Sequence, residues 1–260
     1  MRVAAVQHDV AWEDRAATLG RLEPMIGAAA AAGARLVVLT EMFPTGFSMA
    51  PERIAEPAAA SPTTRFLLGR AEAEGVWVCG SVAIRPDGRE SGDRPVNRFL
   101  LAGPGGTLAV YDKIHPFTYS GEHEHYAAGT ERVTVDVEGL RVTPFVCYDL
   151  RFADEFWAEA RTTDCYVVVA NWPAARRAHW QALLVARAIE NQAYVVGVNR
   201  VGDGDGIHYE GDSRIVSPLG EVLDEASGVE RILFADVDPA VVAETRARYP
   251  FLDDRRAADG

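Results

Sequence analysis

A cysteine stands where an apolar run turns abruptly to charge in RVTPFVCYDLRF, with Cys147 at the junction and Asp149 and Arg151 just beyond. A thiol at the end of a buried strand can be held rigidly while backbone N–H groups behind it point toward a developing oxyanion, which is how a nucleophile is mounted. The competing reading is a core cysteine, because free cysteines are among the most buried residues and behave as small hydrophobes. Two more charges follow apolar strands: Glu41 after ARLVVLT and Lys113 after TLAVYD. Each taken singly reads as a rim charge. Converging on one cleft, the three would supply a general base, an oxyanion stabiliser and a nucleophile.

A fourth apolar run, YVVVANW, ends in Asn171 and Trp172 as the earlier one ends in Glu41 and Met42, so both residues are expected to line the same cleft. Trp172 as plain core is the alternative. Arg176 and Arg177 follow immediately. A guanidinium at a cleft mouth suits a substrate carboxylate through bidentate contacts, and solvated charges at a helix start are the other reading.

The elements that must position these residues alternate apolar strands with alanine-rich helices, the pattern of an α/β protein. Strands are expected at 2–9, 35–40, 76–84, 96–101, 107–112, 132–137, 141–146, 166–170, 194–199, 213–217 and 231–237. Residues 14–32 carry Leu19, Leu22, Met25, Ile26 and Ala29 at helical spacing, and 178–191 and 239–248 read as further helices. Ser61 before Pro62 is a helix start, a capping residue followed by proline at the first helical position. A faint repeat is visible: strand RVAAVQ, helix and strand LVVLTEMFP are echoed by strand RVTPFVCYD, helix and strand YVVVANWP. The GDGDG run at 202–206 resembles a calcium loop but lacks the closing glutamate, so a flexible turn is expected.

With LTEMFPTGF around Glu41, YDKIHPF around Lys113 and CYDLRF around Cys147, the chain resembles the nitrilase superfamily of carbon–nitrogen hydrolases, from RVAAVQ through GDSRIVSPLGEVL. That resemblance implies a Glu–Lys–Cys triad of Glu41, Lys113 and Cys147, and a four-layer αββα sandwich of two mixed sheets; pattern alone supports only α/β. It implies a second active-site glutamate seven residues before a loop-closing glycine, which selects Glu122 before Gly129, with Glu124 the competitor. Lys113 and the Tyr148 N–H would hold the oxyanion, and no metal or organic cofactor is needed. NWPAAR, EHEHYAAG and CYDLRF look most like the bacterial omega-amidase branch, which cleaves the terminal amide of 2-oxoglutaramate and 2-oxosuccinamate. In that reading Arg176 meets the substrate, and Phe43, Phe47 and Phe117 form an apolar wall, although these aromatics also suit ordinary packing. Other small-amide or N-carbamoyl hydrolases share the triad, and a silent binding member of the fold is the non-enzyme alternative. The superfamily also implies a homodimer.

Composition narrows the partners. The 260 residues are 48% hydrophobic, enough for a large core, and read as one domain spanning 1–260 whose tail from about 250, ending DDRRAADG, lacks an apolar anchor and is expected to be mobile. No signal peptide or membrane-length apolar run is evident, so a soluble cytoplasmic protein is expected. Cys79, Cys147 and Cys165 cannot all pair and show no CxxC spacing, so neither a disulfide framework nor a thiolate zinc site is suggested. His115, His123 and His125 invite a metal site, the last two alternating with glutamates, but without a third supported ligand they read as polar loop residues, and His8, His179 and His208 as structural. A formal charge of −12 and a pI near 5.0 argue against nucleic acid or an anionic membrane, leaving a small-molecule amide as the partner.

Overall fold

In the computed structural model, which describes residues 1–87 and 94–256, the apolar runs become two seven-stranded mixed sheets packed face to face. The first holds β1 (Arg2–Gln7), β2 (Leu36–Val38), β3 (Glu56–Pro57), β4 (Trp77–Arg85), β5 (Val96–Ala102) and β6 (Leu108–Asp112). The second holds β7 (Val135–Val137), β8 (Leu140–Val146), β9 (Cys165–Ala170), β10 (Tyr194–Asn199), β11 (Val201–Gly204), β12 (Ile207–Val216) and β13 (Val222–Ser227), after which β14 (Arg231–Asp236) returns to the first sheet beside β1.

Strand alternation sorts the two faces. Val3, Ala5, Cys79, Phe99 and Leu101 point to the inter-sheet core, while Ala4, Val6, Val78, Leu100 and Ala102 meet the outer helices. Those helices are α1 (Arg15–Ala31), which buries Leu22, Ile26 and Ala29, and α3 (Pro62–Glu74), which buries Leu67 and Ala71. Two helices, α2 (Pro51–Ile54) and α4 (Glu122–His125), are single turns in loops. Over the second sheet lie α5 (Ala153–Glu159) and α6 (Arg177–Asn191), burying Phe156, Trp180, Leu184 and Ala188. The result is a four-layer αββα sandwich. Helix α7 (Pro239–Arg248) follows β14.

Helix starts form where their chemistry places them. Ser61 Oγ accepts Thr64 N–H at 2.9 Å with Pro62 at the first helical position, and Asp14 Oδ1 accepts Ala17 N–H at 3.0 Å. Pro144 sits in β8 opposite Val167 of β9, and it is tolerated because β7 pairs with β8 only as far as Val142.

Two expectations change, and one strand goes beyond them. Residues 202–206 are not a free turn: β11 pairs with β12 from Val201↔Glu210 to Gly204↔Ile207, and only Asp205 and Gly206 remain as the turn. β13 was not legible either, because VLDEAS is polar and exposed and forms a strand only through pairing with β12. The chain end is anchored rather than loose: Leu252 is buried, and Arg255 donates to Trp157 O, Glu190 O and Asn191 Oδ1. The last four residues expected to be mobile, 257–260, lie outside the described residues. Among the described residues no helix is long and apolar enough to cross a membrane.

Candidate active site

Glu41, Lys113, Glu122 and Cys147 come from the loops that follow three strands, β2, β6 and β8, and the sandwich brings them together at one edge. β2 ends at Val38, and the turn after it is pinned to β4 through Met42 N–H to Ser81 Oγ at 2.8 Å and Phe43 N–H to Ser81 O at 3.1 Å. Met42 takes φ 38°, an uncommon conformation for a side-chain-bearing residue, held by those two bonds. Lys113 follows β6, its N–H on Asn97 O at 3.0 Å and its carbonyl accepting Gly129 N–H at 2.8 Å. A Cβ on Gly129 would lie 2.1 Å from Asp112 O, so only glycine closes this loop.

The charged groups are almost wholly shut from water. Glu41 and Glu122 are 0% exposed and Lys113 1%. Lys113 Nζ reaches Glu41 Oε1 at 3.0 Å and Glu122 Oε2 at 2.8 Å. Glu41 Oε2 also accepts Asn171 N–H at 2.8 Å, while Asn171 Nδ2 donates to Glu41 O at 2.7 Å. Glu122 Oε2 accepts Phe117 N–H at 2.5 Å. Burial opposes the Lys113 charge, but Glu122 and Glu41 more than offset it, so the ammonium is held well above its ordinary range. Burial raises the Glu122 carboxyl, with Lys113 opposing and the Glu41 charge reinforcing the shift.

Cys147 opens a one-turn 3₁₀ helix, Cys147–Arg151, at the end of β8, and its φ of 48° turns the chain sharply out of the strand. Asp149, fully buried, fixes that turn. Its Oδ2 accepts Val146 N–H at 3.0 Å and Tyr111 O–H at 2.8 Å, and its Oδ1 accepts His115 N–H at 2.9 Å. One carboxylate thus ties the cysteine turn to the lysine loop. Burial, then the Glu41 charge, pushes the Cys147 thiol well above its usual range despite Lys113. The Cys147 sulfur thus lies beside the buried Glu41 carboxylate.

Cys147 lies on the wall of a cavity of about 490 Å³. Phe47, Phe117, Tyr148, Asn171, Trp172 and Arg176 line it with the cysteine. Trp172 serves both expected roles, as it is 4% exposed, belongs to the core and donates Nε1–H to Arg176 O at 2.9 Å. Phe43 does not reach the cavity. It packs in the core between the first sheet and its helices, against Gly80, where a Cβ would lie 2.7 Å from its ring. The wall expected from Phe43, Phe47 and Phe117 is therefore built from Phe47 and Phe117, with Phe117 against Tyr148.

The two pairs left open by sequence separate cleanly. Glu122 is buried on Lys113, whereas the Glu124 side chain is 70% exposed. Arg177 is paired with Asp212 at 2.6 Å, whereas Arg176 lies over the rings of Phe117 and Tyr119 on the cavity wall. Three residues were missed. Asn97 bonds both buried acids, Asp149 fixes the cysteine turn, and Arg151 lines the cavity over the Trp172 ring with its Nη2 on His179 Nδ1 at 3.2 Å. Only Asp149 and Arg151 carried a signal, as charges directly after an apolar strand. The β11–β12 turn brings Asp205 and His208 to the cavity, which local sequence gave no reason to expect.

Among the described residues no group of three or more His, Cys, Asp or Glu could hold a metal ion. His115 instead stacks on Phe152 at 3.7 Å and bonds Asp149.

The carbon–nitrogen hydrolase family model matches residues 2–247. The chain belongs to this family. It is 42% identical to the omega-amidase YafV of Escherichia coli over 98% of this chain and 96% of that one. It is 33% identical to the 2-oxoglutaramate amidase of Bacillus subtilis over 86% and 85% of the two chains. A carbon–nitrogen hydrolase superfamily protein from Xanthomonas campestris, solved with an arsenic adduct in its active site, superposes with a TM-score of 0.92 at 36% identity, covering 99% of this chain and 98% of that one. The protein is a carbon–nitrogen hydrolase of the amidase type.

Proposed function

We propose that this amidase hydrolyses the terminal amide of a short 2-oxo acid, such as 2-oxoglutaramate or 2-oxosuccinamate, to the dicarboxylate and ammonia through a thioester on Cys147. The observation that carries the reading is the pair of guanidiniums on the cavity wall: among the described residues neither Arg151 nor Arg176 has a carboxylate partner. An anionic substrate end would neutralise them, and the ammonium of an amino-acid amide would meet like charge. The names of the relatives from Escherichia coli and Bacillus subtilis support the same substrate class.

The geometry supports the following steps. Glu41 takes the Cys147 proton as sulfur attacks the amide carbon, and Lys113 Nζ and the Tyr148 N–H stabilise the oxyanion, a contribution of a few kcal/mol. Glu41 returns the proton to nitrogen, the C–N bond breaks and ammonia leaves. Water, deprotonated by Glu41, then attacks the thioester; the C–S bond breaks and the thiol is restored. Glu122 holds Lys113 and the Phe117 backbone, and so links the oxyanion donor to the substrate wall.

The test is ammonia release from 2-oxoglutaramate, glutamine and a neutral aliphatic amide, with Arg176→Ala as the variant. The keto-amide should turn over fastest. In Arg176→Ala its KM should rise by about 10- to 100-fold with kcat little changed, and the neutral amide should be unaffected. Faster turnover of the neutral amide by the native enzyme would sink the substrate assignment and leave the amidase chemistry standing.

A further inference from the structure

Asn97, on β5, touches both buried acids yet lies off the cavity wall. Its Nδ2 is 2.9 Å from Glu41 Oε1 and 3.2 Å from Glu122 Oε1, and Lys113 Nζ is 3.0 and 3.1 Å from the same two oxygens. The four groups close a ring in which donors and acceptors alternate. Its neighbours set the amide's orientation, since turned over it would press a carbonyl oxygen against two carboxylates. Among the described residues the buried Oδ1 atom has no partner, a cost that an apolar side chain of the same volume would not carry. What Asn97 contributes is therefore its donor.

We propose that Asn97 is a positioning residue for amide hydrolysis: it supplies the second donor between Glu41 and Glu122, and so keeps Glu41 ionised and aimed as the base for Cys147. Two carboxylates and one ammonium leave a net negative charge in a site closed to water. Like charges this close favour capture of a proton by one of them, and a proton held on Glu41 removes the base. The Nδ2 donor lowers that tendency by bonding the charged form of both acids at once. It also holds Glu41 Oε1 at a fixed place relative to Lys113, whose backbone N–H sits on the Asn97 carbonyl.

This rests on Glu41 acting as base, and the experiment separates the two claims. The pH dependence of kcat/KM for amide hydrolysis is measured on the full-length native enzyme and on Asn97→Asp, Asn97→Leu, Asn97→Ser and Glu41→Gln, with the fold of each checked by circular dichroism. The rate of Cys147 alkylation by iodoacetamide is followed over the same pH range. Asn97→Asp puts an acceptor where a donor stood, so the acid limb of both profiles should move up by about one pH unit, with kcat down about 100-fold and KM changed less than about threefold. Asn97→Leu should move the limb in the same direction, and Asn97→Ser, which keeps a donor, should hold it near the native position. Should Asn97→Asp fail to fold, the Leu and Ser pair makes the same comparison. A lower rate with the limb unmoved in Asn97→Leu would overturn the proposal and leave Asn97 merely structural. Retention of turnover by Glu41→Gln would overturn the base assignment instead.

Discussion

The two halves of the sandwich share one topology and put it to different use. In the first, β1, β2 and β4 run parallel with α1 and α3 between them, flanked by antiparallel β14 and β5. In the second, β8, β9 and β10 run parallel with α5 and α6 between them, flanked by antiparallel β7 and β12. Beyond β1 comes His8, and beyond β8 comes Cys147. His8 is sealed: its Nδ1 lies 3.0 Å from Asp9 O and its Nε2 3.1 Å from Thr40 Oγ1, while Arg200 covers it through Asp9. Cys147 opens on a cavity. Equivalent strand ends thus become a structural plug and part of a cavity wall according to what covers them. The ends of β2 and β9 meet directly, because Asn171 of the second half orients Glu41 of the first.

The largest effect that would break this contrast is on chemistry. Cys147→Ala should lower ammonia release by about 10⁴-fold or more. His8→Asn should leave it within about threefold. Equal losses in the two variants would mean that His8 belongs to the site. Lys113→Met should come next, with kcat down about 10³-fold and stability reduced by about 3–5 kcal/mol in urea unfolding, since two buried carboxylates lose their counter-charge.

Asp149→Ala tests how the cysteine turn is held. It strands the Val146 and His115 N–H groups and the Tyr111 hydroxyl, so about 3 kcal/mol should be lost, seen as a melting temperature lower by several degrees. An unchanged melting temperature would mean the turn is held without it.

The smallest effect sharpens the sealed end. Burial lowers the His8 imidazole from 6.5 to about 4, consistent with a neutral ring that donates from Nδ1 and accepts at Nε2. Between those values the unfolded chain binds a proton that the folded one does not, so this stability is present above pH 6.5 and lost as pH falls toward 4. From pH 7 to pH 5 the loss is about 2 kcal/mol. Urea titrations at the two pH values should show it, and His8→Asn should flatten that part of the pH dependence.

Much of this was legible because it is local. β-branched runs, Ser61 before Pro62 and the arrival of Glu41, Lys113 and Cys147 just after apolar runs are properties of a few consecutive residues. The repeat of strand, helix and strand was readable for the same reason. What escaped was decided by residues far apart in the chain. Asn97 reads as an ordinary strand residue until Glu41, 56 positions away, is folded against it. VLDEAS has no strand signature without β12, and Phe43 and Phe47 look alike until Gly80 leaves space for one of them in the core.

By itself the sequence determined the alternating elements and the placing of an acid, a cation and a thiol just after apolar runs, because local propensity and apolar patterning act over short stretches. Only the tertiary structure buried Glu122 on Lys113 and left Glu124 exposed, paired Arg177 with Asp212 and set Arg176 on the cavity wall, and docked the chain end through Leu252 and Arg255. These choices depend on burial and partner geometry, which exist only once distant segments share one space.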